Sequence, residues 1–363
     1  MKSLTLLLLF AVGLLLGPQA LLAANYVVGT CVPRLPSYPT ISAAVGTVPS
    51  GSTVMVCPGI YSEQVTISTS LTLEGITSGN GARAVIEVPT GGLTTSITNV
   101  IFGGTVYPQV IVSAPNVNIT NITVDGTGNN LNCSASLYGI YYATGASGTV
   151  NQVTTRQQIN DGCGVGIWVE NGSSTAESVT IENSDTHDAD NTGIFVGSNQ
   201  TPPTLNVTVK GNDVAGGPAG PTWGITSWGV AGSITDNVVT DASSFGIIGE
   251  SGATASISAN TISNTEANIN VVGIFLEGSG EIARDNTIMN HQNGSGIWIT
   301  DTTATVQDNK ITNSNVAIEF FCTSATVSAN TISDAAIGID NVPSGLAVAS
   351  LYNRVDVIRT NCR

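Results

Sequence analysis

The sequence predicts an all-β chain wound as a single-stranded right-handed parallel β-helix, a solenoid in which each coil adds a strand to each wall. Two signals that keep step with each other carry this prediction. A Gly-Ile start recurs at Gly139, Gly166, Gly193, Gly224, Gly246, Gly273, Gly296 and Gly338, with Ala317-Ile318 standing in once. Its intervals run from 21 to 31 residues, the self-similarity of stacked supersecondary units. An Asn recurs at the same pace, at Asn212, Asn237, Asn260, Asn286, Asn309 and Asn330. Composition agrees. Charged residues make up only 10%, and there are 41 glycines, which suits short strands and tight turns better than helices. Segments such as SATVSANTIS alternate with period two and are rich in β-branched residues.

The elements follow in chain order. Residues 1–24 read as a secretory signal peptide: Lys2, an apolar run from Leu4 to Leu16, a Gly17-Pro18 break, then Ala20, Ala23 and Ala24. A mature chain of residues 25–363 is therefore expected outside the cytoplasm, secreted or periplasmic. No later apolar stretch reaches about 18 residues, so no membrane span is expected. A cap over residues 36–50 follows, with a short amphipathic helix from Thr40 to Val48 and Thr40 as its N-cap. It would cover the open end of the solenoid, where a bare strand edge invites aggregation. Less regular coils precede the regular repeats of residues 139–345. Longer intervals place extra loops near residues 151–162, 184–191, 198–204, 213–222 and 264–271. The recurring Asn is expected to take the left-handed turn itself, and its amides to form a ladder from coil to coil. Cys31, Cys57, Cys133, Cys163, Cys322 and Cys362 form an even set in an exported chain. They are expected to form disulfides between near neighbours.

The repeat also says which side chains leave the core. Counted from each repeat Gly, positions +1 and +3 are apolar and face inward. Position +2 must then face outward, because strand side chains alternate. It reads Tyr141, Trp168, Phe195, Thr226, Ile248, Phe275, Trp298, Glu319 and Asp340. Position +4 shares that face and holds Glu170, Trp228, Glu250, Glu277 and Thr300. Aromatic rings flanked by carboxylates suit a sugar chain, since rings stack on apolar sugar faces and carboxylates accept from hydroxyls. Tyr141, Trp168, Phe195, Phe275, Trp298 and Glu170 are thus the expected carbohydrate-binding set. The alternative is that the long loops fold over the column and bury it. Glu250 and Glu277 stack on adjacent coils about 5 Å apart, the separation that retaining glycosidases use.

The opening YPTISAAVGTVPSGSTVMVCPGIYSEQVTISTSLTLEGI resembles the start of pectin-lyase-like proteins, and the body resembles the parallel β-helix repeats of that superfamily. The resemblance implies the fold over nearly the whole mature chain, and a fold does not carry its chemistry with it. Pectin methylesterase motifs such as QDT and DFIFG are absent, as are the NTD, DD and GHG of polygalacturonases. Lyases of this superfamily need Arg or Lys with clustered acids. Arg284 and Lys310 stand beside Asp285 and Asp308 on adjacent coils. Alginate epimerases carry a His/Asp loop, which DTHDADN resembles through Asp185, His187, Asp188 and Asp190 without the companion Tyr and Arg motif. Asp185, Asp188, Asp190, Asp285 and Asp308 are the candidate ligands should a Ca²⁺ ion bind.

The net charge is −15, which repels the phosphates of nucleic acid. The reading is a monomeric protein that binds or processes extracellular polysaccharide, by lyase or hydrolase chemistry if it is an enzyme. The alternative is a structural or adhesive surface solenoid without a catalytic site.

Overall fold

The computed structural model describes residues 24–342 except 80, 217–221, 265–270, 279, 301–302, 322 and 324. The expected signal peptide thus lies outside the described residues but for Ala24, as do Cys322 and Cys362. The chain forms an all-β parallel solenoid with three walls. The first wall is a 13-stranded sheet, including Leu205–Lys210, Ala231–Thr235 and Ser256–Ser258. The second wall includes Asp185–His187, Asp213–Ala215 and Val238–Thr240, and the third Val165–Asn171, Thr192–Ser198 and Trp223–Trp228. The second and third walls join in one 21-stranded sheet, because Thr287–Ile299 and Lys310–Phe320 run through both. Among the described residues the strands pair in parallel except where Ile97–Thr98 meets Thr105–Val112.

Apolar side chains from all three walls fill the bore in one continuous cluster, including Ile181, Val209, Ile247, Ile274 and Ile297. A five-residue helix, Ile41–Val45, begins at Thr40, whose side chain accepts from the Ala43 N–H. Its Ile41, Ala44 and Val45 join the same cluster. Cys31 is disulfide-bonded to Cys57, and Cys133 to Cys163, near neighbours in each case.

The repeat Gly is a matter of space. A Cβ on Gly246 would lie 2.5 Å from Ile262 Cγ2 and 2.6 Å from the Gly273 carbonyl oxygen, and Gly273 meets Ile288 and Gly296 in the same way. The coils approach too closely there for any side chain.

The Asn positions form a ladder inside the corner between the first and second walls. Asn212, Asn237, Asn260, Asn286, Asn309 and Asn330 are all buried. Each Nδ2 from Asn212 to Asn309 donates to the next Oδ1 at 2.9–3.0 Å. Each such Oδ1 also accepts the preceding Asn backbone N–H at 3.0 Å. The left-handed residue is not the Asn, as expected, but the one before it: Gly211, Asp236, Ala259, Asp285, Asp308 and Ala329 have φ from 56° to 64°. The turn is made one residue early so that the Asn can point inward. A Cβ at such a φ costs roughly 1 kcal/mol or more. Ala259→Gly is therefore expected to stabilise the protein by about 0.5–1 kcal/mol after the entropy cost of glycine, measured by thermal denaturation.

Candidate functional site

Strand register confirms the outward column. Paired residues run Tyr141, Trp168, Phe195, Thr226, Ile248, Phe275, Trp298, Glu319 and Asp340. Its two halves differ in exposure.

The upper half is sealed. Tyr141, Trp168, Phe195 and Glu170 are at most 3% exposed, so they do not form the open surface expected of them. The cover is the short hairpin that joins Ile97–Thr98 to Thr105–Val112. Ile97 and Ile101 pack onto the cluster of Tyr138, Tyr141, Val165, Trp168 and Phe195, and Phe102 meets Trp168, Phe195 and Trp228 edge-on. Glu170 fastens this cover. It accepts from Tyr141 Oη, from Trp168 Nε1 at 3.0 Å and from the Val100 N–H at 3.1 Å. Burial raises its pKa, while those hydrogen bonds lower it in part. The rings stack on each other, Trp168 on Phe195 with centroids 3.6 Å apart, so the faces a sugar would use are already occupied. This half is a second small core outside the bore.

The lower half stays partly open. Phe275 and Trp298 are half-buried. Their rings are tilted by 55° with centroids 5.2 Å apart, and Phe245 leans on Phe275 at 5.2 Å. Trp298 borders a cleft of about 390 Å³ together with Phe245, Asn293, Ser295, Asn315 and Glu319. Ser295 Oγ donates to Glu319. Trp298 Nε1 has no hydrogen-bond partner among the described residues.

Beside the aromatics lie three carboxyls. Glu250 and Glu277 are close enough to influence each other's charge. Burial pushes Glu250 up to about 7, and the neighbouring Glu277 adds to the shift. Glu281, not singled out from the sequence, lies beneath them. It occupies an inward column that otherwise holds Ala255, Ala304 and Ala325, one residue before the paired Ser256, Ile282, Thr305 and Thr326. It is fully buried. Its Oε2 accepts from the Gly278 N–H at 3.0 Å, and its Oε1 has no partner among the described residues. Room for it comes from Gly249, where a Cβ would sit 1.8 Å from Oε1. The sequence did carry a signal: Gly249 stands at the +3 position that Val169, Val196, Leu276 and Ile299 fill elsewhere.

The acidic candidates on the second wall and its corner do not converge. Asp190 accepts backbone N–H groups from Asn160 at 2.6 Å, Gly162 at 2.8 Å and Gly164 at 2.5 Å, which makes it the organiser of a turn. Asp188 accepts from Gln157 Nε2 at 2.9 Å and meets His187 Nδ1 at 3.0 Å. Asp185 borders a separate polar groove of about 530 Å³ with Arg83, Asn121 and Asn183. Asp285 and Asp308 occupy left-handed corner positions, Asp285 beside Arg284 at 3.9 Å and Asp308 accepting from Gln307. Among the described residues, no three or more His, Cys, Asp or Glu side chains gather as a metal ion would need. His291 is buried, four coils from His187, with a pKa lowered by burial to about 4.

Comparison with known proteins bears on the fold. Residues 158–332 match the family described as right handed beta helix region. No curated protein sequence matches the chain. Among solved structures, the lacto-N-biosidase of Eubacterium ramulus superposes with a TM-score of 0.60 at 10% identity, over 93% of this chain and 66% of that one. The A-module of a mannuronan C-5 epimerase from Azotobacter vinelandii gives 0.50 at 17% identity, over 84% and 91%. An alginate lyase from Paenibacillus gives 0.50 at 13% identity, over 93% and 98%. At such identities the likeness concerns the fold alone. The coil-by-coil register, the matched repeat region and these superpositions agree that the chain folds as a right-handed parallel β-helix.

Proposed function

We propose that this is a secreted protein that engages a neutral extracellular polysaccharide along the lower half of the third wall. The observation that carries the reading is the half-buried ring of Trp298, tilted against Phe275, bordering with Phe245 a cleft that also holds Asn293, Ser295, Asn315 and Glu319. Rings offer stacking surface, and the amides, hydroxyl and carboxylate offer hydrogen bonds to sugar hydroxyls. The acidic cluster beside the rings and the net charge of −15 favour a neutral chain over a polyanion. The fold neighbours named for lacto-N-biosidase, mannuronan epimerase and alginate lyase activity make carbohydrate a natural class of ligand for this architecture. The helix at Ile41–Val45 fits the role of an end cover, and the two disulfides suit an oxidising compartment.

The test is retention on insoluble xylan, cellulose, mannan and β-1,3-glucan. Trp298→Ala is expected to lower retention by about tenfold or more and to leave the melting temperature nearly unchanged. Trp168→Ala is expected to do the reverse: it removes a sealed core ring at a cost of about 3–5 kcal/mol and spares retention by the folded fraction. Wild-type protein that is retained on none of the four would favour the structural solenoid, the reading that the sealed upper half of the column supports.

A further inference from the structure

A second cleft, of about 280 Å³, lies higher on the same wall. Phe102, Ser136, Tyr138, Asn191 and Trp223 border it. Strand register shows how it relates to the cleft at Trp298. Residues at or near the starts of the third-wall strands pair in sequence as Tyr138, Val165, Thr192, Trp223, Phe245 and Val272. Trp223 belongs to the upper cleft and Phe245 to the lower, and these two are direct partners on adjacent coils. The clefts therefore meet at a pair of half-buried aromatic residues. The sealing hairpin has a part in this: Phe102, 53% exposed, forms a side of the upper cleft.

We propose that the two clefts are one groove, running along the solenoid axis, that takes an extended β-1,4-linked neutral glycan, with Trp223 and Phe245 as the stacking platform at its waist. This rests on the polysaccharide reading above and adds the length, linkage geometry and path of the ligand. From Tyr138 to Val272 is five coil steps, and the lower cleft continues past Ser295 to Val316 for two more. At about 4.8 Å per coil the groove is about 34 Å long. An extended β-1,4 chain advances by close to one coil spacing per sugar, so about seven sugars fit. The lining suits that occupant. Aromatic residues recur along it, Asn191, Asn293, Asn315, Ser136 and Ser295 supply donors and acceptors, and among the described residues no Lys or Arg lines either cleft.

The experiment is calorimetric titration of xylo-, cello- and manno-oligosaccharides from disaccharide to octasaccharide. In at least one series the affinity is expected to climb with length to about the heptasaccharide. Trp223→Ala is expected to weaken the heptasaccharide by about tenfold and to leave the trisaccharide unchanged, and Trp223→Phe to restore most of the loss. Melting temperatures identify any variant that fails to fold, for which Trp223→Phe and the wild-type length series still decide. A plateau at the trisaccharide, or equal weakening of short and long oligosaccharides by Trp223→Ala, overturns the single groove while the Trp298 cleft stands. Absence of binding by every oligosaccharide overturns the groove, and failed retention on the four polysaccharides then shows that the underlying reading has failed with it.

Discussion

Raising the pH from about 5.5 to about 9 lowers the melting temperature by roughly 4–5 °C, and Glu281→Gln removes most of that fall. The cause is a carboxyl without a cation to receive it. Burial pushes Glu281 up to about 8; the Gly278 N–H opposes this, and the nearby Glu250 and Glu277 add to it. A carboxyl with a raised folded-state pKa contributes stability that is complete below its unfolded value and is lost as pH rises through its folded value. Here that window runs from the ordinary 4.5 to about 8. The loss is on the order of 3 kcal/mol. Glu250 acts in the same direction over a window ending at about 7, by a smaller amount because it is only half-buried. His291 acts with the opposite sign. It is held neutral down to about 4, so stability falls as pH drops below its ordinary 6.5. Maximum stability is therefore expected near pH 5–6. Circular-dichroism melts across this range check it, and equal slopes for wild type and Glu281→Gln would refute it.

Asn260→Ala is expected to cost about 4 kcal/mol. Asn260 Nδ2 donates to Asn286 Oδ1 at 3.0 Å and to the Ile234 carbonyl at 2.9 Å. Its Oδ1 accepts from the Asn237 backbone N–H at 3.0 Å and side-chain amide at 2.9 Å. Truncation leaves these partners buried and unpaired, at about 1–3 kcal/mol each before partial relaxation. A solenoid contacts only its nearest coils, so the damage should stay local. Hydrogen exchange is expected to accelerate in the coils around Asn237, Asn260 and Asn286 and to change little near Val54 or Leu73. Uniform acceleration along the chain would contradict this.

The fold was legible because a repeat multiplies weak signals. One Gly-Ile or one Asn says little, whereas both recurring at the same pace fix the winding and the facing of each strand. The outward column was therefore placed residue by residue. Its exposure was not legible. The hairpin that seals Tyr141, Trp168 and Phe195 departs from the irregular coils upstream, between Ile97 and Thr105, and carries no repeat by which to place it. Trp223 and Phe245 escaped notice because they precede the repeat Gly, where the chain turns a corner and simple alternation does not define facing. Glu281 escaped because its place is defined by an absent side chain, that of Gly249. The Asn ladder shows in the sequence but its left-handed residue does not, since Asn itself tolerates that backbone and the Gly, Asp or Ala before it shares no common mark.

The corner that carries the ladder never changes length. Two residues separate Lys210 from Asp213, Thr235 from Val238, Ser258 from Thr261 and Gln307 from Lys310. The passage from the second wall to the third varies freely, as between His187 and Thr192 or Ala215 and Trp223. The molecule thus has a keel and two decks. Insertions at the keel would break a run of buried amides, while insertions on the decks lengthen loops that border the clefts. If the clefts take the proposed glycan, its recognition can drift through the decks over evolutionary time, or be redesigned there, without the coils losing alignment.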